Sequence, residues 1–482
     1  MLNLSLADLT KLDKIRDALS ANDPRKQFSS LGMQQLTISD DAIDSLINTV
    51  KAHLARAGIT ADHNTAVRIV VDDSIILREA QNLKDLVFGQ LAENFAAERV
   101  TLTDGHTVLH ADENSIDRCA AACAGAQCIV SVGGGTITDI AKFAAKRNAT
   151  PVHVVVQTAA SVDGFTDNFS VVLQNGVKRT LLTRWPDAVL TDCRVLAEAP
   201  HELNAAGLGE LLSMYTAPGD WFLASKCGID NSYTPVLTDL LALCGDGVEI
   251  WSEGVGKRDI KGTRRLAAGL AMRGIVTGVG GTSASLSGME HLISHMLDIY
   301  SAEKGEQTGL HGAQVGVGSV LAASAWEHYC ERMVNQPPQL ASLFADDATW
   351  EPRVRSAFIN LDPSGNLGAE CWSHYRKKLA AWRNNRSKVE ALFNNWESIK
   401  AGRDRLVLKS RSIANCLRRA KAPALFSELS PQVPRDRLHW AVANCQFMRE
   451  RFTIADLLNF AGWWDVESVN DVLTRAQQAS AE

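Results

Sequence analysis

The sequence predicts an α/β domain built on a parallel sheet, followed by an all-α domain. Short apolar strands alternate with helices in the first part of the chain, and a glycine-rich turn joins one strand to a helix. Strand patterns nearly vanish after about residue 197. Such alternation is typical of a parallel sheet covered by helices. Because 482 residues are too many for one simple core, we predict domains at 1–195 and 196–482.

The elements of the first part follow in order. Two helical segments are predicted within the first 60 residues. Further on, strands are predicted at 66–73, near 100–102, at 151–158 and at 187–192, with helices between them. The run 170–182 contains two alternating segments joined by Asn175-Gly176, which indicates a hairpin because both residues tolerate positive φ.

Composition and charge limit the classes of partner. The net charge is −6, which gives no general case for binding nucleic acid or a membrane surface. The first 19 residues mix Asp and Lys with apolar residues, unlike a signal peptide. The longest apolar stretch, 266–286, contains Arg273 and many glycines, unlike a membrane span. We expect a cytoplasmic protein, and the ten cysteines without a CxxC pair agree with that expectation.

The glycine-rich turn is the first candidate binding site. A buried-strand pattern leads into Gly133, Gly134, Gly135 and Thr136, and Asp139 lies where the next helix opens. Backbone amides in such a turn can approach a phosphate, and the helix dipole favours its negative charge. The turn is not GxGxxG, so it indicates a nucleotide without identifying it. The alternative is that the glycines only form a tight turn.

Acidic residues end the first predicted strand. Asp72 or Asp73 would be placed to accept hydrogen bonds from an adenosine ribose. An acid at that position would repel a 2′-phosphate and so favour NADH over NADPH. The alternative interpretation is an ordinary surface acid at the end of a strand.

Histidines in the second part form the candidate metal site. His291 and His295 lie four residues apart in an amphipathic helix, so both imidazoles share one face. His311 follows after sixteen residues and precedes Gly312. Imidazole is the commonest metal-binding side chain, although surface or core histidines show the same spacing.

Two carboxylates complete the candidate groups. Glu210 is predicted at the start of a helix, where an acid is also favoured by the macrodipole. A carboxylate with two histidines would leave coordination positions open for a substrate. Asp163 follows a strand end, at the edge of a parallel sheet where ligands bind, although Asp-Gly is also a common turn.

Several blocks taken together resemble the sn-glycerol-1-phosphate dehydrogenase family. This family belongs to the wider group of iron-dependent alcohol dehydrogenases, glycerol dehydrogenases and dehydroquinate synthases. The resemblance covers roughly residues 66–462. The matching blocks are 131–145, 158–167, 175–182, 206–221, 287–298, 311–318 and 449–462.

The resemblance implies a dehydroquinate synthase-like fold, with a nucleotide-binding α/β domain, a helical metal-binding domain and an active site in the cleft between them. Members of the family reduce dihydroxyacetone phosphate to sn-glycerol 1-phosphate with NADH or NADPH. They use a divalent metal, Zn²⁺ or Ni²⁺, and Fe²⁺ is also compatible with the wider group. The resemblance further implies a homo-oligomer, a dimer or larger.

The resemblance also assigns roles to residues. The implied metal ligands are Glu210, His291 and His311, with His295 beside the site. In the mechanism that follows from these roles, either His295 or a metal-bound water supplies the proton. Asp163 is implied to lie near nicotinamide and substrate as a catalytic residue. The implied cofactor-binding residues are Asp72, Gly133, Gly134, Gly135, Thr136, Asp139, Thr158 and Ser161.

Three positions depart from the family pattern. Glu210 stands where these dehydrogenases usually have Asp, whereas dehydroquinate synthases have Glu. Ala284 replaces an arginine expected to bind the substrate phosphate, and Gln157 replaces a proline. Lys178 and Arg179 are further candidates to bind the phosphate.

The departures leave three alternatives open. One is a dehydroquinate-synthase-like cyclase or lyase that holds NAD tightly and returns it unchanged. Another is a dehydrogenase of a different small polyol or ketone phosphate. The third is a binding protein that has lost its chemistry.

Overall fold

The structure is a computed structural model that describes the chain except for residues 1, 3, 104–108, 175–176, 337, 339–342, 345–346 and 482. The chain divides into two compact units. The first comprises Met1–Gly207 and Asp239–Gly281, and the second comprises Leu208–Thr238 and Thr282–Glu482. The sequence-based boundary between 195 and 196, which stays a prediction, did not anticipate that Asp239–Gly281 groups with the first unit.

The first unit contains a parallel sheet. Its strand order is β1-β10-β7-β6-β2-β5, and every neighbouring pair is parallel. Two antiparallel ribbons, β3-β4 and β8-β9, accompany it. The strands are β1 (Gln35–Ser39), β2 (Ala66–Val71), β3 (Leu77–Arg78), β4 (Gln81–Asn82), β5 (Ala96–Thr101), β6 (Cys128–Gly133), β7 (Val152–Gln157), β8 (Phe169–Gln174), β9 (Val177–Leu182) and β10 (Ala188–Asp192).

The described residues up to Gly280 form eleven α-helices, and some of these helices cover the sheet. The eleven helices are α1 (Leu12–Ala21), α2 (Leu46–Arg56), α3 (Leu83–Ala92), α4 (Glu113–Ala122), α5 (Gly135–Arg147), α6 (Cys193–Glu198), α7 (His201–Leu212), α8 (Ala217–Lys226), α9 (Pro235–Gly245), α10 (Val248–Gly256) and α11 (Ile260–Gly280).

Both faces of the sheet are buried along its inner strands, because these strands are rich in Val and Ile whose side chains alternate between the faces. Val67 and Ile69 of β2 pack with α2 and α3 on one face. Val70 of the same strand packs with α4 and α5 on the other face. The predicted fold class is confirmed: a parallel α/β unit precedes chain in which the described residues form no further strand after Asp192.

One strand of the sheet, β1, was not predicted from the sequence, whereas the predicted hairpin is present. The first 60 residues contain the two predicted helical segments, but also β1, which pairs with β10 in the register Gln35↔Ala188. Only one residue of β1 is buried, so its apolar pattern is too weak to detect. The predicted hairpin exists as β8 and β9, paired Phe169↔Leu182, while its Asn175-Gly176 turn lies outside the described residues.

The second unit is helical in its described part, and α12, which carries His291, packs against α13. In turn α13 packs against α18 and α21. None of the described helices is long and apolar enough to cross a membrane. The remaining helices are α12 (Met289–Lys304), α13 (His311–Asn335), α14 (Asp347–Phe358), α15 (Asn366–Asn384), α16 (Arg386–Asn394), α17 (Trp396–Asp404), α18 (Ser410–Arg419), α19 (Arg435–Asn444), α20 (Ile454–Phe460) and α21 (Val466–Ser480).

Aromatic rings form much of the core of this helical unit. Trp382 is fully buried, and its ring centroid lies 4.7 Å from that of Phe460. The rings of Trp396 and Tyr329 meet edge to face at 4.9 Å. The tryptophans of the late sequence therefore pack the helices against one another.

Candidate functional site

Glu210, His291 and His311 converge in the second unit. One ligand atom of each lies within 4.8 Å of the other two. The two carboxylate oxygens of Glu210 face one imidazole each: Oε1 lies 3.3 Å from His291 Nε2, and Oε2 lies 3.7 Å from His311 Nε2. Three ligand atoms at such separations can share one cation and leave further coordination positions open.

Close approach of two helices brings Glu210 to the histidines. A Cβ on Gly209 would collide with the carbonyl oxygen of Gly312 and lie 3.1 Å from the Cα of Gly316. Glycine at position 209 therefore permits the backbones of α7 and α13 to meet, with Glu210 and His311 next to the crossing.

The predicted position of Glu210 at a helix start is wrong. α7 runs from His201 to Leu212, so Glu210 lies in its last turn. There the macrodipole disfavours a carboxylate, and this side chain is also buried. A buried carboxylate at this end of a helix needs a nearby positive charge. The position of Glu210 therefore fits a ligand to a cation, and not an acid that stabilises the first turn of a helix.

Glu290 orients His291. The Nδ1–H of His291 donates to Glu290 Oε1 at 2.9 Å, which turns Nε2 toward Glu210. Glu290 is itself fixed, because it accepts from Thr216 Oγ1 at 2.9 Å and from the amide of Gly288 at 2.6 Å. Metal-binding histidines commonly donate their second ring nitrogen to a carboxylate in this way.

The electrostatics of the group favour a positive charge. Burial lowers the pKa of His291, but the carboxylates of Glu210 and Glu290 outweigh burial and raise the pKa to about 9. Without a metal the imidazole therefore carries a proton at neutral pH. A divalent cation would take the place of that proton, since metal binding to histidine requires the neutral ring.

His311 is oriented by a chain of neutral hydrogen bonds. Its Nδ1 lies 3.1 Å from Ser294 Oγ, and that hydroxyl donates to Gln314 Oε1 at 2.7 Å. With its hydrogen donated to Gln314, Ser294 accepts from Nδ1–H of the imidazole. This leaves Nε2 of His311 to face Glu210.

A second candidate group shares His311. His295, Asp298 and His311 also have ligand atoms within 4.8 Å of one another. However, the rings of His295 and His311 are stacked, with 23° between their planes, whereas His291 and His311 meet at 62°. A metal lies in the plane of each imidazole that binds it. The Glu210 group therefore suits one ion better, and His295 is left beside it.

In the glycine turn, Gly133 and Gly135 pack closely against other side chains, whereas Gly134 has open space beside it. A Cβ on Gly133 would lie 2.8 Å from Ile137 Cβ, and a Cβ on Gly135 would lie 2.9 Å from Val162 Cγ2. At Gly134, which precedes α5, a Cβ would meet nothing within 4 Å. The open position stands beside the first amides of α5, which have no intrahelical acceptors and attract anions. This geometry fits a pyrophosphate.

Asp139 and Lys142 belong to a buried ion cluster. Lys142 Nζ lies 2.8 Å from Asp167 Oδ1 and 3.4 Å from Asp139 Oδ1, and it also donates to the carbonyl of Gly164 at 2.7 Å. Burial raises the pKa of Asp139 to about 7, although Lys142 opposes the rise. Lys142 thereby ties the segment around Gly164 to α5. The cofactor role of Asp139 stays a prediction.

Three other predicted cofactor residues are Asp72, which contacts a lysine, and Thr158 and Ser161, which follow β7. Lys84 Nζ contacts the Asp72 carboxylate and donates to its carbonyl at 2.8 Å. Thr158 is buried directly after β7, and Ser161 is half-buried. Their cofactor roles, and that of exposed Thr136 at the start of α5, stay predictions.

Asp163 faces a buried arginine that the sequence did not single out as functional. Arg273 of α11 is fully buried, and its Nε lies 3.1 Å from Asp163 Oδ2. The arginine that interrupts the apolar stretch 266–286 is thus a partner of the candidate catalytic residue Asp163. Gln157, at the departure from proline, accepts from Thr191 Oγ1 at 2.8 Å and so links β7 to β10.

Solved structures share this fold. Maleylacetate reductase from Agrobacterium tumefaciens superposes with a TM-score of 0.55 at 16% identity, covering 94% of this chain and 99% of that protein. A probable glycerol dehydrogenase from Sinorhizobium meliloti gives the same TM-score, identity and coverages. At this identity the likeness defines the fold alone. The iron-containing alcohol dehydrogenase family model matches residues 59–200.

The chain is also similar in sequence to curated proteins of one particular enzyme class. Glycerol-1-phosphate dehydrogenase [NAD(P)+] from Haloquadratum walsbyi is 33% identical over 293 residues, 59% of this chain and 82% of that protein. The chain belongs to the glycerol-1-phosphate dehydrogenase family, within the iron-containing alcohol dehydrogenases. The chain spans about half the length of several other relatives with that name. The protein from Geobacillus stearothermophilus is 33% identical over 46% of this chain and 54% of its own length.

Proposed function

We propose that the chain is a metal-dependent, NAD(P)-dependent oxidoreductase that reduces dihydroxyacetone phosphate to sn-glycerol 1-phosphate. The observation that carries the proposal is the convergence of Glu210, His291 and His311 in a chain of this family. A three-ligand group with open positions suits a catalytic metal rather than a structural one.

The residues of the second unit would bind the metal and supply the proton. Glu210, His291 and His311 would hold Zn²⁺, Ni²⁺ or Fe²⁺. The bound ion would supply Lewis-acid stabilisation of negative charge on the substrate oxygen. His295, one turn beyond His291 on α12, is the proposed proton donor to that oxygen.

The first unit would bind the dinucleotide. The Gly133–Thr136 turn would receive the pyrophosphate at the start of α5, with Thr158 and Ser161 along the cofactor. An acid at Asp72 favours NADH over NADPH. Asp163, held by Arg273, is the proposed catalytic carboxylate near nicotinamide and substrate.

The test is reduction of dihydroxyacetone phosphate by the zinc-loaded or nickel-loaded protein with NADH or NADPH, followed at the nicotinamide absorbance band. The product should be glycerol 1-phosphate of the sn-1 configuration. His311→Ala should lose the metal and the activity. His328→Ala is the matched control, because His328 lies on the same helix and pairs with Asp471 at 2.7 Å, outside the metal group.

Other outcomes would point elsewhere. If NADH binds and no ketone phosphate is reduced, the substrate assignment fails. NAD that co-purifies and shows no net turnover would favour the cyclase alternative. Reduction of a different ketone would indicate another polyol dehydrogenase, and absence of a stoichiometric metal would indicate a binding protein.

A cytoplasmic homo-oligomer completes the proposal. All ten cysteines are free thiols, nine of them buried, as suits a reducing compartment. The family resemblance supports a dimer or larger assembly, which light scattering on the purified protein would test.

A further inference from the structure

We propose that Asp220 and Arg451 are positioning residues through which the segment 451–456 braces the start of α12, and thereby fixes His291. The inference rests on the metal-binding role proposed for His291. The inference gives a structural role to residues 449–462, one of the blocks that resemble the family. These residues contribute no ligand to the metal group.

Asp220 joins the starts of two helices. Its side chain is 1% exposed. Oδ2 accepts from the amide of Met289, the first residue of α12, at 2.9 Å. Oδ1 accepts from the amide of Ile454, the first residue of α20, at 3.0 Å, and from Trp326 Nε1 at 3.2 Å. One buried carboxylate therefore caps α12 and α20 together.

The sequence of α12 makes this external cap necessary. Its N-cap residue is Gly288, which has no side chain to accept from the first amides. A Cβ on Gly288 would lie 2.6 Å from Asp220 Oδ2 and 2.9 Å from Ala217 Cα. Glycine at position 288 thus makes room for the Asp220 carboxylate.

Arg451 holds the loop that enters α12. Its guanidinium donates to the carbonyl of Ser283 at 2.9 Å, to Ser283 Oγ at 3.1 Å and to the carbonyl of Ser287. These acceptors are the first and last residues of 283–287, so one side chain fixes the whole loop. The loop and the helix start are therefore both tied to 451–456.

The bracing segment is itself anchored. Lys378 Nζ donates to the carbonyl of Arg451 at 2.9 Å and to that of Gln446 at 2.7 Å. It also lies 2.7 Å from Asp456 Oδ1, and both side chains of this ion pair are fully buried. The segment therefore cannot shift without breaking buried polar contacts, which are costly to leave unmade.

The brace acts where the metal group is most sensitive. Glu290 and His291 are the second and third residues of α12, next to the Met289 amide that Asp220 caps. A change in the helix start would move His291 Nε2 relative to Glu210. Ligand positions that depend on such supporting contacts typically lose metal affinity about 10- to 100-fold when the contacts are removed.

The test is Asp220→Asn, which keeps the size of the side chain but turns one acceptor into a donor facing N–H groups. In the metal-free protein, hydrogen–deuterium exchange should rise about tenfold or more in both 286–294 and 452–458. Zinc affinity, measured by competition with a chromophoric chelator, should fall about tenfold or more. Arg451→Lys is a milder second variant and should raise exchange at 283–288.

Asp192→Asn is the matched control. Asp192 is fully buried in the first unit, where its carboxylate accepts from the Arg194 amide at 3.0 Å and so caps α6. This variant should lower thermal stability and raise exchange at 193–198, with exchange at 286–294 and zinc affinity unchanged.

Two results would overturn the inference. One is unchanged exchange at 286–294 in Asp220→Asn, and the other is an equal loss of zinc affinity in Asp192→Asn. A wild-type protein that binds no zinc would instead overturn the proposed function. The exchange comparison would still decide whether the brace exists.

Discussion

Glu290 and His291 are neighbours in sequence, and a 2.9 Å hydrogen bond joins the carboxylate of the first to Nδ1 of the second. Successive residues of a helix point about 100° apart, so neighbouring side chains do not normally face one another. Here Thr216 Oγ1 and the Gly288 amide hold the Glu290 carboxylate in the position that makes the contact possible. The orientation of His291 thus depends on residues from two other parts of the unit.

Glu290→Gln should weaken zinc binding about tenfold. The substitution removes the negative charge that fixes His291 with Nδ1–H as donor, and such supporting contacts contribute about 10- to 100-fold to metal affinity. Chelator competition on the purified variant measures the effect. Glu327→Gln is the control, because Glu327 of α13 accepts from the Ser410 amide at 2.9 Å and takes no part in the metal group. Equal affinities in the two variants would contradict the role of Glu290.

Gly134→Ala should leave stability unchanged and weaken NADH binding about tenfold or more. Alanine fits the backbone, since φ is −81° and ψ is −167°, and no described atom lies within 4 Å of the new Cβ. The methyl group would fill the space proposed for the pyrophosphate. Fluorescence titration with NADH measures the affinity, and urea unfolding measures the stability.

Gly133→Ala provides the contrast for this experiment. Its Cβ would lie 2.8 Å from Ile137 Cβ, so overpacking should cost about 1–3 kcal/mol of unfolding free energy. If Gly134→Ala binds NADH as tightly as the unsubstituted chain, the glycine turn is not the pyrophosphate site.

Apolar patterns in the sequence were sufficient to predict the inner strands of the sheet, but not its edge strand β1. The strands of the sheet interior carry runs of Val and Ile because both faces are buried, and these runs are visible without coordinates. β1 has a single buried residue, so its membership of the sheet follows from pairing with β10, which is distant in sequence. Similarly, the role of Gly209 is its close approach to Gly312, a residue more than a hundred positions later in the sequence.

The candidate site divides in the same way. Helical spacing is enough to place His291 and His295 on one face of a helix. The resemblance to the family then identified Glu210 and His311 as the other metal ligands. The supporting residues were not predicted, because a buried Asp or Ser on a helix has many possible partners. Asp220 illustrates the difficulty: its partners Met289 and Ile454 are identified only when three helices have been placed in space.

Asp139→Asn should change how stability depends on pH. Burial raises the pKa of Asp139 from an ordinary value of 3.8 to about 7, against the opposing effect of Lys142. Between these pH values the folded chain holds a proton that the unfolded chain has released, so this group lowers stability as pH rises. Asparagine removes that loss.

Urea unfolding of both proteins from pH 4 to pH 8 measures the difference. The stability of Asp139→Asn relative to the unsubstituted chain should increase with pH across this window, by about 1–3 kcal/mol. Asp13→Asn is the control, since the Asp13 side chain is 95% exposed. A constant difference for Asp139→Asn would show that its carboxyl group titrates alike in both states.

Lys378→Met should strongly destabilise the helical unit, because it leaves the Asp456 carboxylate fully buried without its ammonium partner. Removal of one member of a buried pair costs about 3–5 kcal/mol of unfolding free energy. Burial raises the pKa of Asp456 even with Lys378 present. Without the lysine the acid should hold its proton more tightly in the folded chain, so the destabilisation should be smaller at pH 5 than at pH 8.

The neighbouring lysine separates this effect from a general loss of charge on α15. Lys377 pairs with Glu450 at 2.6 Å, but its side chain is 65% exposed. Lys377→Met should therefore cost less than about 1 kcal/mol, since exposed ion pairs contribute little. Urea unfolding of the two variants at both pH values makes the comparison. Loss of a buried anchor must lower the unfolding free energy more than loss of an exposed ion pair does. If Lys378→Met is no less stable than Lys377→Met, the buried pair therefore does not anchor the segment 451–456.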